Sequence, residues 1–263
     1  LSPAGVYAVG YRVQRSIVIA NLFSALACLA FVNGLQASGG ARLRWLLGAA
    51  LAFVLAVLSK EQAFLLAALS VPLYVFVVRP GWRKTLGVVA GALIASLLAV
   101  GLLMVFYPNL GDLIGQMFDD TSRQLAAQLD KQQPGVAAHM FPLSVLNQAA
   151  LFFYYGFLWL VPVVGWMSID MRPPFPLSFT SLPHLLGALG YVVLLVGSVW
   201  AVLRRSDVWG FIGLCLLFPL VLFWTEFATV WVQDPMVLYR SYLWAMPLPG
   251  LVAVALVASG FSS

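Results

Sequence analysis

Residues 85–107 form an almost unbroken apolar run, TLGVVAGALIASLLAVGLLMVFY, which constrains the fold more than any other part of the chain. A helix rises about 1.5 Å per residue, so a run of this length can cross a hydrocarbon core of about 30 Å. The strands of a membrane barrel alternate apolar and polar residues, and this run does not. The sequence therefore predicts an all-α, polytopic transmembrane helical bundle.

Composition supports several such spans. Hydrophobic residues make up 62% of the 263 residues and charged residues only 9%, far from the balance of a soluble domain. We expect one transmembrane domain over residues 1–263, with seven spans. The predicted spans are residues 16–35, 43–58, 62–78, 85–107, 184–203, 209–227 and 239–258.

Basic clusters between the apolar runs indicate an orientation, because Lys and Arg are enriched in cytoplasmic loops. Three clusters hold seven of the 14 Lys and Arg residues, and of the nine acidic residues only Asp207 lies beside them. They are Arg42 with Arg44, Arg79 with Arg83 and Lys84, and Arg204 with Arg205. Anionic lipid headgroups explain this pattern better than nucleic acid does, so we expect the lipid bilayer as a partner and no nucleic acid.

Segment 143–166 is long enough to span but contains Pro162 and the polar pair Asn147–Gln148. With the basic clusters inside, the loops at 108–142 and 168–183 both lie outside. Segment 143–166 must then leave and return on one side. We expect a re-entrant hairpin or a segment lying along the outer interface, where its aromatic residues favour headgroup depth.

Loop 108–142 is predicted to be an external amphipathic loop. Apolar residues recur at helical spacing at Leu110, Leu113, Ile114, Met117 and Phe118, and the sequence QQPG at 132–135 ends the pattern. Its polar positions are Asp112, Asp119, Asp120 and Arg123. The three aspartates could bind a divalent cation, but on such a helix they are more often the solvated face, so no metal site is predicted.

Ionisable side chains in lipid cost roughly 2.5 to 3.5 kcal/mol each at a helix centre, so they usually face a cavity or a partner. Those next to the predicted spans gather at the outer ends. They are Arg12 and Arg15, Lys60 and Glu61, Glu226 and Asp234, and Arg240 with Tyr239 and Tyr242. Several helix ends therefore bring cations and carboxylates to the external boundary.

Three of these groups are candidates for binding a substrate. Arg240 is the strongest, because the aromatic residues on either side can line a lipid tail while the guanidinium holds a phosphate. Arg12 and Arg15 either bind phosphate too or reach outer-leaflet headgroups. The Lys60–Glu61 pair is either a solvated turn or a substrate contact.

Other kinds of site have little support in the sequence. His139 and His184 each stand alone, without an HExxH or Cys/His pattern, and we expect both to be structural. Cys28 and Cys215 lie in apolar runs, where a thiol behaves as a small hydrophobic group. No GxxxxGK[ST] loop is present, which disfavours an ATP-driven pump, and no cofactor is identified.

Four segments in this order resemble successive signatures of the GT-C glycosyltransferases related to the tetratricopeptide-repeat O-mannosyltransferases and their bacterial homologues. The segments read YRVQRSIVIANLFSALACLAF, AVLSKEQAFLLAALSVPLYVF, FYYGFLWLVPVVGWMSID followed by PPFP, and VLYRSYLWAMPLPGL. The resemblance implies an enzyme that transfers a sugar from a polyprenyl-phosphate donor to a protein or envelope-glycan acceptor. It further implies an integral protein of the bacterial inner membrane with a periplasmic active face.

The resemblance carries over to three short motifs that bind the donor. Gln14–Arg15 is similar to the family's QR or GR, and Lys60–Glu61 to its SKE turn. Tyr239–Arg240 is similar to the arginine position of an HRLYLP-like string, although the His of that string is absent here. The family's catalytic carboxylate lies in its first external loop. Because this chain starts on Leu1, beyond that point, we expect it to be part of a longer membrane domain.

Two other functions are alternatives. One is an envelope-polysaccharide enzyme similar to an O-antigen polymerase or ligase, for which loop 108–142 offers only Arg123, Lys131 and His139 as site residues. The other is a non-catalytic membrane scaffold or a transporter subunit. Transporters typically carry polar or broken helices at the bilayer midplane, and the predicted spans have few charges there.

Overall fold

A computed structural model describes residues 15–106, 114–117, 120–161 and 170–258. The α-helices are α1 Arg15–Gln36, α2 Gly39–Ser59, α3 Leu66–Val78, α4 Trp82–Phe106, α5 Asp120–Gln132, α6 Met140–Leu160, α7 Leu182–Arg204, α8 Val208–Leu222 and α9 Leu248–Ala258. Shorter 3-10 helices cover Glu61–Leu65, Ala137–His139, Phe223–Phe227 and Leu238–Tyr242. Two short strands, β1 Asp170–Met171 and β2 Met236–Val237, pair antiparallel, with Asp170 opposite Val237.

Seven helical stretches within the described residues are long and apolar enough to cross a membrane. They are Arg15–Gln36, Gly39–Ser59, Glu61–Val78, Trp82–Phe106, Ala137–Leu160, Leu182–Arg204 and Val208–Phe227. The prediction of an all-α chain with helices long and apolar enough to cross a membrane is confirmed. Six of these stretches coincide with predicted spans, and two other predictions need correction.

Of the two arrangements predicted for segment 143–166, the re-entrant hairpin is contradicted over residues 143–160, whereas a segment lying along the outer interface stays a prediction. Met140–Leu160 is one continuous helix, α6, and belongs to a stretch long enough to span. The polar pair that argued against a span, Asn147 and Gln148, is fully buried in the protein, so lipid does not meet it. Pro162 follows the helix and lies outside the described residues.

The predicted span 239–258 is also wrong as a single helix. α9 has only 11 residues, and the 3-10 helix Leu238–Tyr242 and a series of turns precede it. Proline lacks an N–H and is tolerated in a helix mainly in the first turn. Pro247 and Pro249 lie at the start of α9, so they set where the helix begins.

The amphipathic helix lies later in loop 108–142 than predicted. It begins at Asp120, whereas Ile114 lies in a turn and Met117 has no regular secondary structure. The other apolar positions of the predicted pattern before Asp120 lie outside the described residues. The break at QQPG is confirmed, because α5 ends at Gln132 and Gly135 has a φ of +92°.

The described residues form two compact units. The first takes its residues from Leu98–Val193 and Phe223–Ser241, and the second from 15–97, Leu194–Leu222 and 242–258. The single transmembrane domain over residues 1–263 stays a prediction.

Small residues hold α1 against α2 in the second unit. The buried residues of α2 are Ala49, Ala52 and Ala56, and most of those of α1 are also small. At Gly34 of α1, an added Cβ would lie 2.8 Å from Leu46 Cδ2. Small side chains let helix backbones approach closely, which is how helices associate where no hydrophobic effect drives them together.

Arg79 connects two of the predicted cytoplasmic clusters in the second unit. It ends α3 in the left-handed conformation, with a φ of 51°, and its Nη1 donates to the carbonyl of Val202 at 2.8 Å. Its guanidinium lies 4.6 Å from the ring centroid of Phe76. A cation at a helix C-terminus satisfies a carbonyl and complements the helix dipole. The Arg79 side chain therefore binds the last turn of α7, the turn that carries Arg204.

In the first unit, α6 and α7 approach closely at Gly187. A Cβ added there would lie 2.5 Å from Ala150 Cα, a backbone atom that cannot move aside. Both helices are of spanning length, so this contact sets their separation.

We predict that Gly187→Ala lowers the stability of the protein by about 1–3 kcal/mol, because the new methyl group overpacks the crossing. The measurement is thermal unfolding of the purified protein in detergent, followed by circular dichroism. Gly197→Ala, on the same helix, is the matched control: its added Cβ meets no atom within 4 Å. Equal melting temperatures for the two variants would contradict the close approach.

Candidate functional site

A row of polar side chains lies on one face of α6 in the first unit. Ser144, Gln148, Tyr155 and Trp159 are spaced by four, seven and four residues, which places them on one helical stripe. All four form hydrogen bonds with the segment that follows the 3-10 helix Phe223–Phe227. This segment ends at Ser241, where the first unit also ends. We call residues 228–241 the irregular segment, because β2 and one 3-10 helix are its only regular elements.

Ser144 and Gln148, the first half of the row, form hydrogen bonds with backbone groups of the irregular segment. The Trp231 N–H donates to Ser144 Oγ at 3.0 Å, and Gln148 Nε2 donates to the carbonyl of Pro235 at 2.8 Å. Both α6 side chains are fully buried. A buried backbone group without a partner costs free energy, so these bonds make a non-helical path possible inside a membrane protein.

The second half of the row holds the segment near Arg240. The Val237 N–H donates to the Tyr155 hydroxyl at 2.8 Å, and that hydroxyl donates to the Val237 carbonyl at 3.2 Å. Trp159 Nε1 donates to Ser241 Oγ at 2.9 Å. Since these contacts flank residue 240 on both sides, α6 fixes the backbone that carries the arginine.

Arg240 lies against a buried carboxylate. Its Nη1 is 3.4 Å from Glu226 Oε2 and 3.5 Å from the carbonyl of Asp234, and its Cζ is 3.8 Å from the ring centroid of Trp231. The side chains of Arg240 and Glu226 are 13% and 1% exposed. The two Nη1 contacts are long for hydrogen bonds, so attraction between charges and the cation–π contact account for the arrangement.

Nη1 makes both of the long polar contacts that Arg240 forms with oxygen atoms of described residues. The other edge of the guanidinium, formed by Nε and Nη2, is the edge that can hold a carboxylate or phosphate through two parallel bonds. The site therefore presents a fixed cation whose charge is partly balanced by Glu226 on the Nη1 side.

An aromatic cluster positions Glu226. Phe223 and Phe227, on the same 3-10 helix as Glu226, pack edge-to-face against Phe152 and Tyr191. Ring centroids in these contacts are 5.0 to 5.3 Å apart. Edge-to-face pairs are favourable beyond their buried area, so the cluster anchors the turn that carries the carboxylate.

Several buried polar atoms of α6 and of the irregular segment have no hydrogen-bond partner among the described residues. They are both side-chain polar atoms of Asn147, Gln148 Oε1, Thr229 Oγ1 and Trp231 Nε1. Such atoms are few in folded proteins, and each points to a polar group that would satisfy it. Both Trp231, which stacks on Arg240, and α6 therefore retain hydrogen-bonding capacity.

Of the other predicted site residues, only Tyr239 shares the first unit with Arg240; the rest belong to the second unit or lie outside the described residues. Lys60 Nζ contacts Glu61 Oε1 at 2.9 Å, and the Glu61 side chain is 77% exposed, as in a solvated turn. Arg15 is exposed at the start of α1. Gln14 lies outside the described residues. Tyr239 is half-buried next to Arg240. A role for each in substrate binding stays a prediction.

Sequence reasoning named Arg240 but did not identify its setting. Glu226 was placed among the outer carboxylates without being paired, and Trp231 was not identified. The signal that could have found the α6 row was the spacing of Ser144, Gln148 and Tyr155 in an otherwise apolar helix. His139 and His184 bond locally, to the Gly135 carbonyl and to Ser181 Oγ.

Comparison with protein-family models, with curated proteins and with solved structures finds no match to the chain. Among the described residues, no group of three or more His, Cys, Asp and Glu side chains is arranged to hold a metal ion.

We predict that Tyr155→Phe lowers the stability of the protein by about 1–3 kcal/mol, because the buried Val237 N–H loses its acceptor. Thermal unfolding in detergent measures the change. Tyr154→Phe is the matched control, since Tyr154 makes no described hydrogen bond through its hydroxyl. A Tyr155→Phe protein as stable as this control would show that the hydroxyl does not hold the irregular segment.

Proposed function

We propose that the chain is a membrane glycosyltransferase of the GT-C type that binds a polyprenyl-phosphate-linked sugar donor. The sugar would pass to a protein or envelope-glycan acceptor on the periplasmic face of a bacterial inner membrane. The proposal rests on the guanidinium of Arg240, which Glu226 and Trp231 hold in one orientation and whose side chain is 13% exposed. The order of the four sequence motifs supports it.

The donor's chemistry matches this setting. A polyprenyl phosphate carries a long apolar tail and a phosphate that becomes the leaving group when the sugar is transferred. A fixed cation stabilises the charge that develops on that group without reorganising during the reaction. Arg240 supplies the cation, and its uncommitted edge fits two phosphate oxygens.

Glu226 is suited to hold Arg240 rather than to act as the general base. Its side chain is 1% exposed and is paired with Arg240, so it is poorly placed to deprotonate an acceptor hydroxyl. In the proposal it is a positioning residue, and Trp231 shares that role.

The first test compares donor binding in two charge states of the site. Arg240→Ala should abolish transfer, but it also removes the cation that faces the buried carboxylate of Glu226, and breaking a buried ion pair costs about 3–5 kcal/mol. We therefore add the double variant Arg240→Met with Glu226→Gln, which removes both charges and keeps the side-chain volumes. Native mass spectrometry then measures binding of a polyprenyl phosphate and of the same polyprenol without its phosphate.

We expect the unmodified chain to prefer the phosphate form and the double variant to lose that preference, with unchanged membrane insertion. Arg123→Ala, an exposed arginine paired with Asp120, is the control and should keep the preference. A double variant that still prefers the phosphate form, or an active Arg240→Ala protein, would remove Arg240 from the site. A non-catalytic scaffold predicts no phosphate preference in any variant.

A second test uses Glu226→Gln alone. The amide oxygen of Gln can still accept from Arg240 Nη1, but the negative charge that competes with a phosphate is gone. We predict tighter binding of the polyprenyl phosphate, in the same mass-spectrometric assay, together with lower thermal stability. Lower stability with unchanged or weaker phosphate binding would mean that the Arg240–Glu226 pair only stabilises the fold.

A further inference from the structure

A second region of the chain has the features of a lipid site and is independent of Arg240. A groove of about 670 Å³ runs along the α1–α2 hairpin in the second unit. On α2 its lining extends from Ala41 to Leu55, about 21 Å along the helix axis. Of the residues that line it, Arg44 alone is charged and the rest are apolar or glycine.

Cations at one end of this groove have no neutralising partner. Arg44 and the nearby Arg42 are exposed and form no ion pair with any described residue. The sequence contains no Asp or Glu before Glu61, which contacts Lys60. The α2 N-terminus adds partial positive charge, since Ser38 makes no side-chain cap bond to its N–H groups. An anion at this end must therefore come from outside this part of the chain.

We propose that the groove binds an acidic phospholipid, with its phosphate at Arg44 and Arg42 and an acyl chain along the hairpin. Guanidinium groups hold phosphate through charge-assisted hydrogen bonds, and juxtamembrane cations attract anionic headgroups. The apolar lining suits a hydrocarbon chain and gives no partner to a second polar group. A second copy of the hairpin is a poor occupant, because it would set arginine against arginine.

Gly48 makes the tail part of the groove testable. It lines the groove, and an added Cβ meets no atom within 4 Å, so a larger side chain can fill the space without a backbone clash. Gly48→Leu therefore blocks the tail and leaves the cations, whereas Arg44→Gln removes a cation and leaves the space. Arg83→Gln, an exposed cation outside the groove, is the charge-matched control.

The experiment titrates the purified full chain in detergent with phosphatidylglycerol and, separately, phosphatidylcholine, and counts bound lipids by native mass spectrometry. We expect tighter binding of phosphatidylglycerol, weakened about fivefold by Arg44→Gln with little change for phosphatidylcholine. Gly48→Leu should weaken both lipids, and Arg83→Gln should affect neither. Circular dichroism checks that each variant has the helix content of the unmodified chain.

Three results would overturn the proposal. The first is phosphatidylglycerol binding that Arg44→Gln and Gly48→Leu leave unchanged. The second is a polyprenyl phosphate that binds more tightly than phosphatidylglycerol and depends on Arg44, since the groove would then belong to a substrate lipid. The third is a dimer that forms without lipid and that Gly48→Leu abolishes, which would identify a second copy of the chain as the occupant.

Discussion

The candidate site depends on one constraint: backbone polar groups that leave the helical pattern inside a membrane protein must find partners within the protein. The irregular segment 228–241 meets this constraint through α6. Ser144, Gln148 and Tyr155 accept from or donate to its backbone, and all three are buried. Without that row, the segment that carries Arg240 would expose unsatisfied N–H and carbonyl groups, and a continuous helix would be favoured instead.

The same segment explains how a charged arginine can be almost buried. Arg240 is balanced by Glu226 and covered by the face of Trp231, so neither charge is left alone in a low-dielectric interior. Replacing such a pair by apolar residues is often neutral for stability, so stability alone gives little reason to keep it. A cation held in one orientation is useful for binding an anion, and the proposed donor phosphate is one.

Much of the fold could be predicted because an apolar run long enough to cross a membrane is visible in the local sequence. Six spans coincide with helices of spanning length, including Trp82–Phe106, which covers residues 85–106 of the long apolar run. For segment 143–166 the hairpin was inferred from the side assigned to the flanking loops, whereas residues 143–160 form one helix that buries its polar pair Asn147 and Gln148 against protein. Span 239–258 was misread because apolar composition outweighed Pro247 and Pro249, whose missing N–H groups delay the helix.

The sequence by itself determined that this is an all-α chain with helices long enough to cross a membrane, because length and apolarity are local properties. It also singled out Arg240, since an arginine among aromatic residues at a span boundary is costly unless it has a partner. Only the tertiary structure identified that partner as Glu226. It also showed which α6 side chains hold the segment that carries Arg240. Gln148 and Pro235 are 87 residues apart, and Tyr155 and Val237 are 82 apart. Which polar atoms meet over such separations depends on helix packing, which no local pattern encodes.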